Sequence, residues 1–191
     1  MTEPVIERCP AALLFADITG FTAMTERLAK RGPAGAEQVS ALLNDYFGQL
    51  IDLVDAHGGD VVKFAGDALL ALWPVVPDAT DAGAGLQLAT HRAAQCALTV
   101  QQKLHNYEPM ENVRLSLRVG VSAGDLFAVH LGGVDDRWEF LVAGAPLARL
   151  ETIKQQAQPG DAILSPEAWA LVEAHCLGHP LESGDVLLGA V

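Results

Sequence analysis

Two aspartates lie at positions where apolar segments end. Asp17 follows the apolar run at residues 11–16, and Asp67 lies between the two apolar runs of the segment 60–73. An isolated carboxylate beside a core strand is costly to bury, so it requires a cation or hydrogen-bond donors. If the two strands are neighbours, the carboxylates converge, and Mg²⁺ favours one or two carboxylates together with substrate phosphates. The pattern therefore indicates a metal site formed by Asp17 and Asp67.

A turn follows Asp17 and leads into a predicted helix at about residues 21–30. Thr19, Gly20 and Thr22 are typical of such a turn. Backbone N–H groups at a helix N-terminus bind phosphate, and glycine lets the backbone approach a ligand closely. The turn is thus a candidate phosphate site beside the candidate metal site.

Each aspartate also has an interpretation without a ligand. An aspartate at a junction between a strand and a helix is commonly a helix cap, and a Gly-Asp pair in a hairpin is commonly a turn residue. Taken singly, neither Asp17 nor Asp67 identifies a function.

The elements that must position these residues follow from hydrophobic periodicity and from turn residues. In chain order, the predicted elements are a strand at 11–16, helices at 21–30 and about 39–54, a hairpin at 60–73 with its turn near Gly66, a helix at 86–104, strands at 114–122 and up to 131 separated by a turn at 123–125, a hairpin turn at 132–136, a strand at 138–142, a helix at 146–158, a strand at 162–164 and a helix at 166–175. This order predicts an α+β fold, with an antiparallel-rich sheet and helices packed on one face.

Composition limits the function classes further. The 191 residues suit one compact domain spanning 1–191, and the net charge of −12 disfavours nucleic-acid binding. Three scattered cysteines and a start without a signal-peptide core predict a reducing cytoplasm. No apolar run has the length of a membrane span. The apolar tail at 184–191 resembles a strand cut short, so we expect the chain to be part of a longer protein.

Five segments together resemble one family. They are Phe15–Thr22, Lys63–Ala71, Arg118–Gly124, Phe140–Gly144 and Gly160–Pro166. In this order they resemble the catalytic domain of class III adenylyl and guanylyl cyclases. Residues 63–73 are most similar to the first cyclase domain of bicarbonate-responsive soluble adenylyl cyclases. The resemblance implies a ferredoxin-like core of the polymerase-palm type, in which two domains pair head to tail and form active sites at their interface.

The resemblance also implies roles for individual residues. Asp17 and Asp67 would hold two Mg²⁺ or Mn²⁺ ions, and the backbone of Ile18, Thr19, Gly20 and Phe21 would hold the triphosphate. Lys63 falls at a substrate-binding position. The reaction would be attack of the ribose 3′-OH on the α-phosphate of a nucleotide, giving a cyclic nucleotide and pyrophosphate. ATP is favoured over GTP as the substrate.

The chain departs from the family at the groups that orient the ribose and stabilise the transition state. Counted from Gly144, the asparagine position is Ala148 and the arginine position is Thr152, while Arg149 lies one helical turn before Thr152. The base-selecting position is Leu141. We therefore expect the metal-binding half of an enzyme, whose missing groups come from a second cyclase domain in cis or in trans, with a self-dimer as the alternative pairing.

Two alternatives stay open at this point. In the soluble cyclases a degenerate site holds bicarbonate between a lysine and an arginine; here Lys63 would lie with Leu141 and Val142, but the arginine position is Glu151. Bicarbonate binding is thus an open question. The other alternative is a catalytically inactive regulatory domain that binds a nucleotide or a small anion.

Overall fold

The sheet is organised around two long central strands. The computed structural model describes residues 5–75, 82–111, 113–134 and 137–191. Strand β1 (Val5–Thr19) pairs antiparallel with β5 (Val113–Val134) along its whole length, and its other edge pairs antiparallel with β3 (Ala68–Pro74). Because β1 has a neighbour on each side, its apolar run is almost fully buried. This run is the strand predicted at 11–16.

The described residues form nine strands. The remaining ones are β2 (Asp60–Ala65), β4 (Tyr107–Met110), β6 (Arg137–Ala143), β7 (Ala162–Leu164), β8 (Leu177–Pro180) and β9 (Val186–Ala190). Their order in the sheet is β2-β3-β1-β5-β7-β9-β8, and β4 and β6 pair with β5. The pairing of β5 with β7 is parallel, and the other pairings recorded within the described ranges are antiparallel. The predicted α+β class with an antiparallel-rich sheet is confirmed.

Helices cover both faces of the sheet, so the prediction of helices on one face is wrong. Four helices contribute to the larger hydrophobic core on one face: α1 (Phe21–Ala29), α2 (Pro33–Ala56), α3 (Ala82–Leu104) and α5 (Pro166–Val172). Helix α4 (Ala145–Gln156) packs on the opposite face, where Leu150 and Ile153 meet Leu13 of β1. The physical reason lies in β1, which is apolar at successive positions and thus needs cover on both faces.

Close packing of α4 depends on a glycine in β5. A Cβ atom at Gly120 would lie 2.8 Å from Cγ2 of Ile153, inside van der Waals contact. The helix therefore lies close against the sheet at this point. This position matters for the site, because α4 brings its side chains to the region where β1 ends and β3 begins.

The structure corrects several element boundaries. The turn predicted at 123–125 is absent, since β5 continues through Gly124 and stays paired with β1. The helix predicted at 86–104 begins at Ala82, and β4 and β8 were not predicted. The predicted hairpin turn at 132–136 joins β5 to β6, with residues 135–136 outside the described part. Across the described helices, none is both long and apolar enough to cross a membrane.

Candidate functional site

The backbones of Asp17 and Asp67 are neighbours in the sheet. Asp17 lies opposite Ala68 in the pairing of β1 with β3, and the N–H of Ile18 donates a hydrogen bond of 3.2 Å to the carbonyl of Asp67. Asp17 is near the end of β1, and Asp67 lies in the turn between β2 and β3. The condition that the two strands be neighbours is thus met.

The Asp17 carboxylate is buried among cations. Its side chain is 7% exposed. Arg118, directly opposite Asp17 on β5, donates a hydrogen bond from Nε to Oδ2 at 2.7 Å, and its Nη2 forms an ion pair with the same oxygen at 2.5 Å. Lys154 of α4 approaches the other oxygen, with Nζ 3.6 Å from Oδ1. Two positive side chains therefore offset the cost of burying this carboxylate.

Sequence reasoning did not assign a role to either cation. Arg118 lies within one of the segments that carry the family resemblance, but its partner depends on the register of β1 against β5. The position of Lys154 beside Asp17 depends on the packing of α4 on the second face of the sheet. One signal could have pointed to Arg118. It is a basic residue on a predicted strand, and such a strand can lie beside the one that carries a buried aspartate.

The Asp67 carboxylate has a different environment. The residue is half-buried, and within the described ranges its side chain has no recorded hydrogen-bond or ion-pair partner. No group of three or more His, Cys, Asp or Glu side chains comes together to hold a metal ion in the part of the chain that the structure describes. Protein ligands for an ion here would therefore be the two aspartates, which is the small carboxylate set that Mg²⁺ accepts when phosphates complete its coordination.

The carboxylate oxygens available at this site fit a divalent cation. Oδ1 of Asp17 receives no hydrogen bond from the described residues, because Nζ of Lys154 lies 3.6 Å away and both contacts of Arg118 are with Oδ2. The carboxylate of Asp67 keeps its capacity to accept. One buried oxygen on β1 and one half-buried carboxylate in the neighbouring turn between β2 and β3 could thus bind the same ion.

The turn after Asp17 is held by the protein itself. The N–H of Ile18 is already donated to Asp67, and the hydroxyl of Thr19 donates to the carbonyl of Ser116 at 3.2 Å. Gly20 has φ 93°, and a Cβ atom there would overlap the carbonyl oxygen of Arg114. Gly20 is therefore required by the backbone, independently of any ligand.

This arrangement narrows the candidate phosphate site. Helix α1 begins at Phe21, and its N-terminus has no side-chain cap. The first N–H groups of a helix have no partner within the helix. The N–H groups of Phe21, Thr22 and Ala23 precede the first helix hydrogen bond, which Met24 donates to Gly20, and could therefore meet a phosphate. The N–H of Ile18 is donated to Asp67, and the role of the Ile18 backbone at the triphosphate stays a prediction.

A cavity of about 530 Å³ lies between the hairpin of β2 and β3 and helix α4. Its charged lining residues are Lys63, Glu151 and Lys154, and the rest of the wall is apolar. Lys63, which is exposed, is thus one of the residues that line a cavity, and its expected role at a cleft with a partner domain stays a prediction. Leu141 and Val142, which were expected beside Lys63, are not among the lining residues.

Helix α4 does not present an arginine to this cavity. Ala148, Glu151 and Lys154 line the cavity, whereas Arg149 donates from Nε at 3.2 Å and Nη2 at 2.9 Å to Oε1 of Glu167 in α5. Burial opposes ionisation of Glu167, but hydrogen bonds, including those from Arg149, hold its pKa below the ordinary value. Arg149 is therefore committed to a neighbouring helix.

Comparison with known proteins places these features in a family. Residues 7–180 match the family described as the adenylate and guanylate cyclase catalytic domain. The chain is 34% identical over 173 residues to adenylate cyclase type 10 of Oryctolagus cuniculus, a match that covers 90% of the chain and 10% of that protein. The human protein of the same name is 33% identical over 173 residues, with the same coverage. The chain thus spans about a tenth of the length of the curated relatives it matches.

Solved structures share the fold. The adenylyl cyclase CyaB from P. aeruginosa has a TM-score of 0.73 at 19% identity, covering 98% of this chain and 96% of that one. The guanylate cyclase domain of RhGC from Catenaria anguillulae, in complex with GTP, has a TM-score of 0.77 at 18% identity, covering 96% and 98%. At these identities the likeness establishes the fold and leaves the base specificity open.

Proposed function

Because this chain belongs to the family of adenylate and guanylate cyclase catalytic domains, we propose that it is the metal-binding half of a nucleotidyl cyclase. Together with a complementary cyclase domain it converts ATP to cyclic AMP and pyrophosphate. The observation that carries the proposal is the adjacency of Asp17 and Asp67 at the end of the central strands, next to the cavity under α4.

The two aspartates provide the negative charge of the site. Asp17 and Asp67 would hold two divalent ions, Mg²⁺ or Mn²⁺. Such ions, when bound, lower the pKa of the ribose 3′-OH and neutralise charge on the phosphates. Without cations a chain of net charge −12 repels a nucleotide triphosphate. The carboxylates are thus useful to catalysis only as cation ligands.

The chain's own positive groups bind the substrate or orient the metal ligands. The N-terminus of α1, starting at Phe21, directs its unpaired N–H groups and its dipole toward a bound anion. Arg118 fixes one oxygen of Asp17 and so orients the carboxylate. Lys63 lies in the cavity wall, at the substrate-binding position that the family resemblance implies.

A partner must supply what α4 lacks. Ala148 and Thr152 stand where the family has asparagine and arginine, and Arg149 is paired with Glu167. One missing preorganised group of this kind typically costs about a hundred- to a thousandfold in rate. We therefore propose a second cyclase domain in cis or in trans as the partner, in preference to a self-dimer, which would repeat the deficiency.

The substrate and setting belong to the same proposal. ATP is preferred to GTP because the relatives at 33–34% identity are named adenylate cyclases. Three free cysteines favour the reducing conditions of the cytoplasm. The second candidate function is an inactive regulatory domain; the charged cavity lined by Lys63 and Glu151 supports it, because such a cavity can bind a small ligand without chemistry.

The test is a cyclase assay of the purified chain mixed with a domain that carries the missing asparagine, arginine and base-reading residue. With Mn²⁺ and either ATP or GTP, we expect cyclic AMP from ATP, measured by mass spectrometry. Asp17→Asn and Asp67→Asn should each abolish product. Asp52→Asn, an exposed change on α2, is the matched control and should keep activity. A mixture without turnover would favour the regulatory function.

A further inference from the structure

We propose that Lys154 is a resident counter-cation of Asp17, which competes with a divalent ion for Oδ1 and thereby sets the metal affinity of the domain. This inference rests on the proposed metal site at Asp17. It concerns a residue outside the segments that carry the family resemblance.

The two cations around Asp17 divide its oxygens between them. Arg118 makes both its hydrogen bond and its ion-pair contact with Oδ2. Nζ of Lys154 lies 3.6 Å from Oδ1, which is beyond hydrogen-bond distance but close enough for strong attraction. The oxygen left free for a metal ion is therefore the one that Lys154 faces.

Lys154 can leave this position more easily than Arg118. The Lys154 side chain is 34% exposed and makes no hydrogen bond to Asp17, whereas Arg118 makes a hydrogen bond and a closer ion pair. Its ammonium group also lies 5.0 Å from the centroid of the Phe15 ring, where a cation is favourably placed. Lys154 thus has a second favourable contact in its present position, besides its attraction to Asp17.

The cavity offers a further partner for the displaced lysine. Glu151 lies three residues before Lys154 on α4, a spacing that brings two side chains together on a helix surface, and both residues line the cavity. A divalent ion at Oδ1 would repel the ammonium group. The lysine would then move away from Asp17 toward Glu151, while Arg118 stays in place.

This competition predicts weaker metal binding than the carboxylates alone would give. A positive charge 3.6 Å from a carboxylate oxygen opposes the binding of a second cation to that oxygen. Since Lys154 is partly exposed, solvent weakens this effect and keeps it modest. Removing its charge should therefore strengthen binding of a divalent ion by about tenfold.

The experiment measures Mn²⁺ binding to the full chain without nucleotide, by electron paramagnetic resonance of free Mn²⁺. Asp17→Asn identifies which part of the binding depends on Asp17. Lys154→Met keeps the apolar stem and removes the charge, and Lys154→Gln is a second variant if the first does not fold. The matched control is Lys103→Met, which removes the same charge from the exposed end of α3.

We expect the Asp17-dependent binding to tighten about tenfold in Lys154→Met or Lys154→Gln and to change little in Lys103→Met. Equal affinities in wild type and the Lys154 variants overturn the inference while leaving the metal site standing. An equal gain in Lys103→Met also overturns it, since net charge would then be the cause. Absence of any Asp17-dependent Mn²⁺ binding in all variants overturns the proposed metal site and the inference together.

Discussion

Arg149 and Glu167 form an ion pair that joins α4 to α5, with Nη2 of Arg149 2.9 Å from Oε1 of Glu167. Both side chains are about half exposed, so the pair itself adds little to stability. Its consequence for the site is that it fixes where the Arg149 side chain points. The guanidinium group lies at α5, whereas Ala148, Glu151 and Lys154 line the cavity.

The first prediction follows from this geometry. The lone chain should turn over Mn²⁺-ATP at a rate about a hundred- to a thousandfold below that of the mixture with a complementary domain. Arg149→Ala should leave the residual rate unchanged, because the guanidinium group is not at the cavity. The measurement is cyclic nucleotide formed by the purified chain. Robust activity of the lone chain that is lost in Arg149→Ala would refute the half-site assignment.

The second prediction separates the two aspartates by stability. Asp17→Asn should lower the free energy of unfolding by about 1–3 kcal/mol, because it weakens the charge-assisted hydrogen bond and removes the ion pair that Arg118 makes with the buried carboxylate. Asp67→Asn should change it little, since no partner of the Asp67 side chain is recorded in the described ranges. Urea unfolding without metal measures both. Equal losses in the two variants would contradict the difference in environment.

Much of the fold could be predicted because apolar runs and turn residues mark it directly. Residues 11–16 and the hairpin at 60–73 lie where the sequence indicated, since the strands at 11–16 and 68–73 are buried and form hydrophobic runs. The first part of β1, from Val5, was missed. Most of its residues are exposed or half-buried, so no hydrophobic pattern identifies it.

The electrostatic environment of the site could not be predicted in the same way. The pairing of Arg118 with Asp17 joins residues far apart in the chain and depends on strand register. The approach of Lys154 depends on which face of the sheet α4 covers, and that face was predicted wrongly. The family resemblance implied roles for Asp17 and Asp67, but it implied none for Arg118 or Lys154.

The third prediction concerns Gly20. Gly20→Ala places a side chain at φ 93° and into the carbonyl oxygen of Arg114, so the turn and β5 must separate. The matched control is Gly58→Ala, with φ 73° and its nearest atom 3.6 Å away. We expect a loss of about 1–2 kcal/mol in the control and at least about 1 kcal/mol more at Gly20. Urea unfolding checks this, and equal losses would contradict it.

The fourth prediction concerns alkaline pH. Burial raises the pKa of the Cys96 thiol from 9.0 to about 12. The folded state therefore keeps the proton that the unfolded state releases above about pH 9, and this contribution to stability is lost as pH rises toward 12. Between about pH 8 and about pH 10.5, the free energy of unfolding should fall by about 2 kcal/mol less in Cys96→Ala than in wild type. Identical pH dependence in the two proteins would contradict the raised pKa.

The last prediction concerns the cavity and bicarbonate. Glu151 stands at the position where the soluble cyclases carry an arginine, and it lines the cavity together with Lys63. A carboxylate there repels an anion, so activity of the wild-type chain with its complementary domain should not respond to bicarbonate.

Glu151→Arg should reverse this behaviour, because a guanidinium group beside Lys63 would bind the anion by charge-assisted hydrogen bonds worth roughly 1.5–3 kcal/mol each. Glu151→Gln removes the repulsion without adding a positively charged hydrogen-bond donor, so its activity should respond at most weakly to bicarbonate. Activity is measured in sodium bicarbonate against sodium chloride at the same pH and ionic strength. Glu173→Arg, an exposed change beyond α5, controls for net charge. A bicarbonate response in wild type, or none in Glu151→Arg, would show that Glu151 does not govern the anion preference of this cavity.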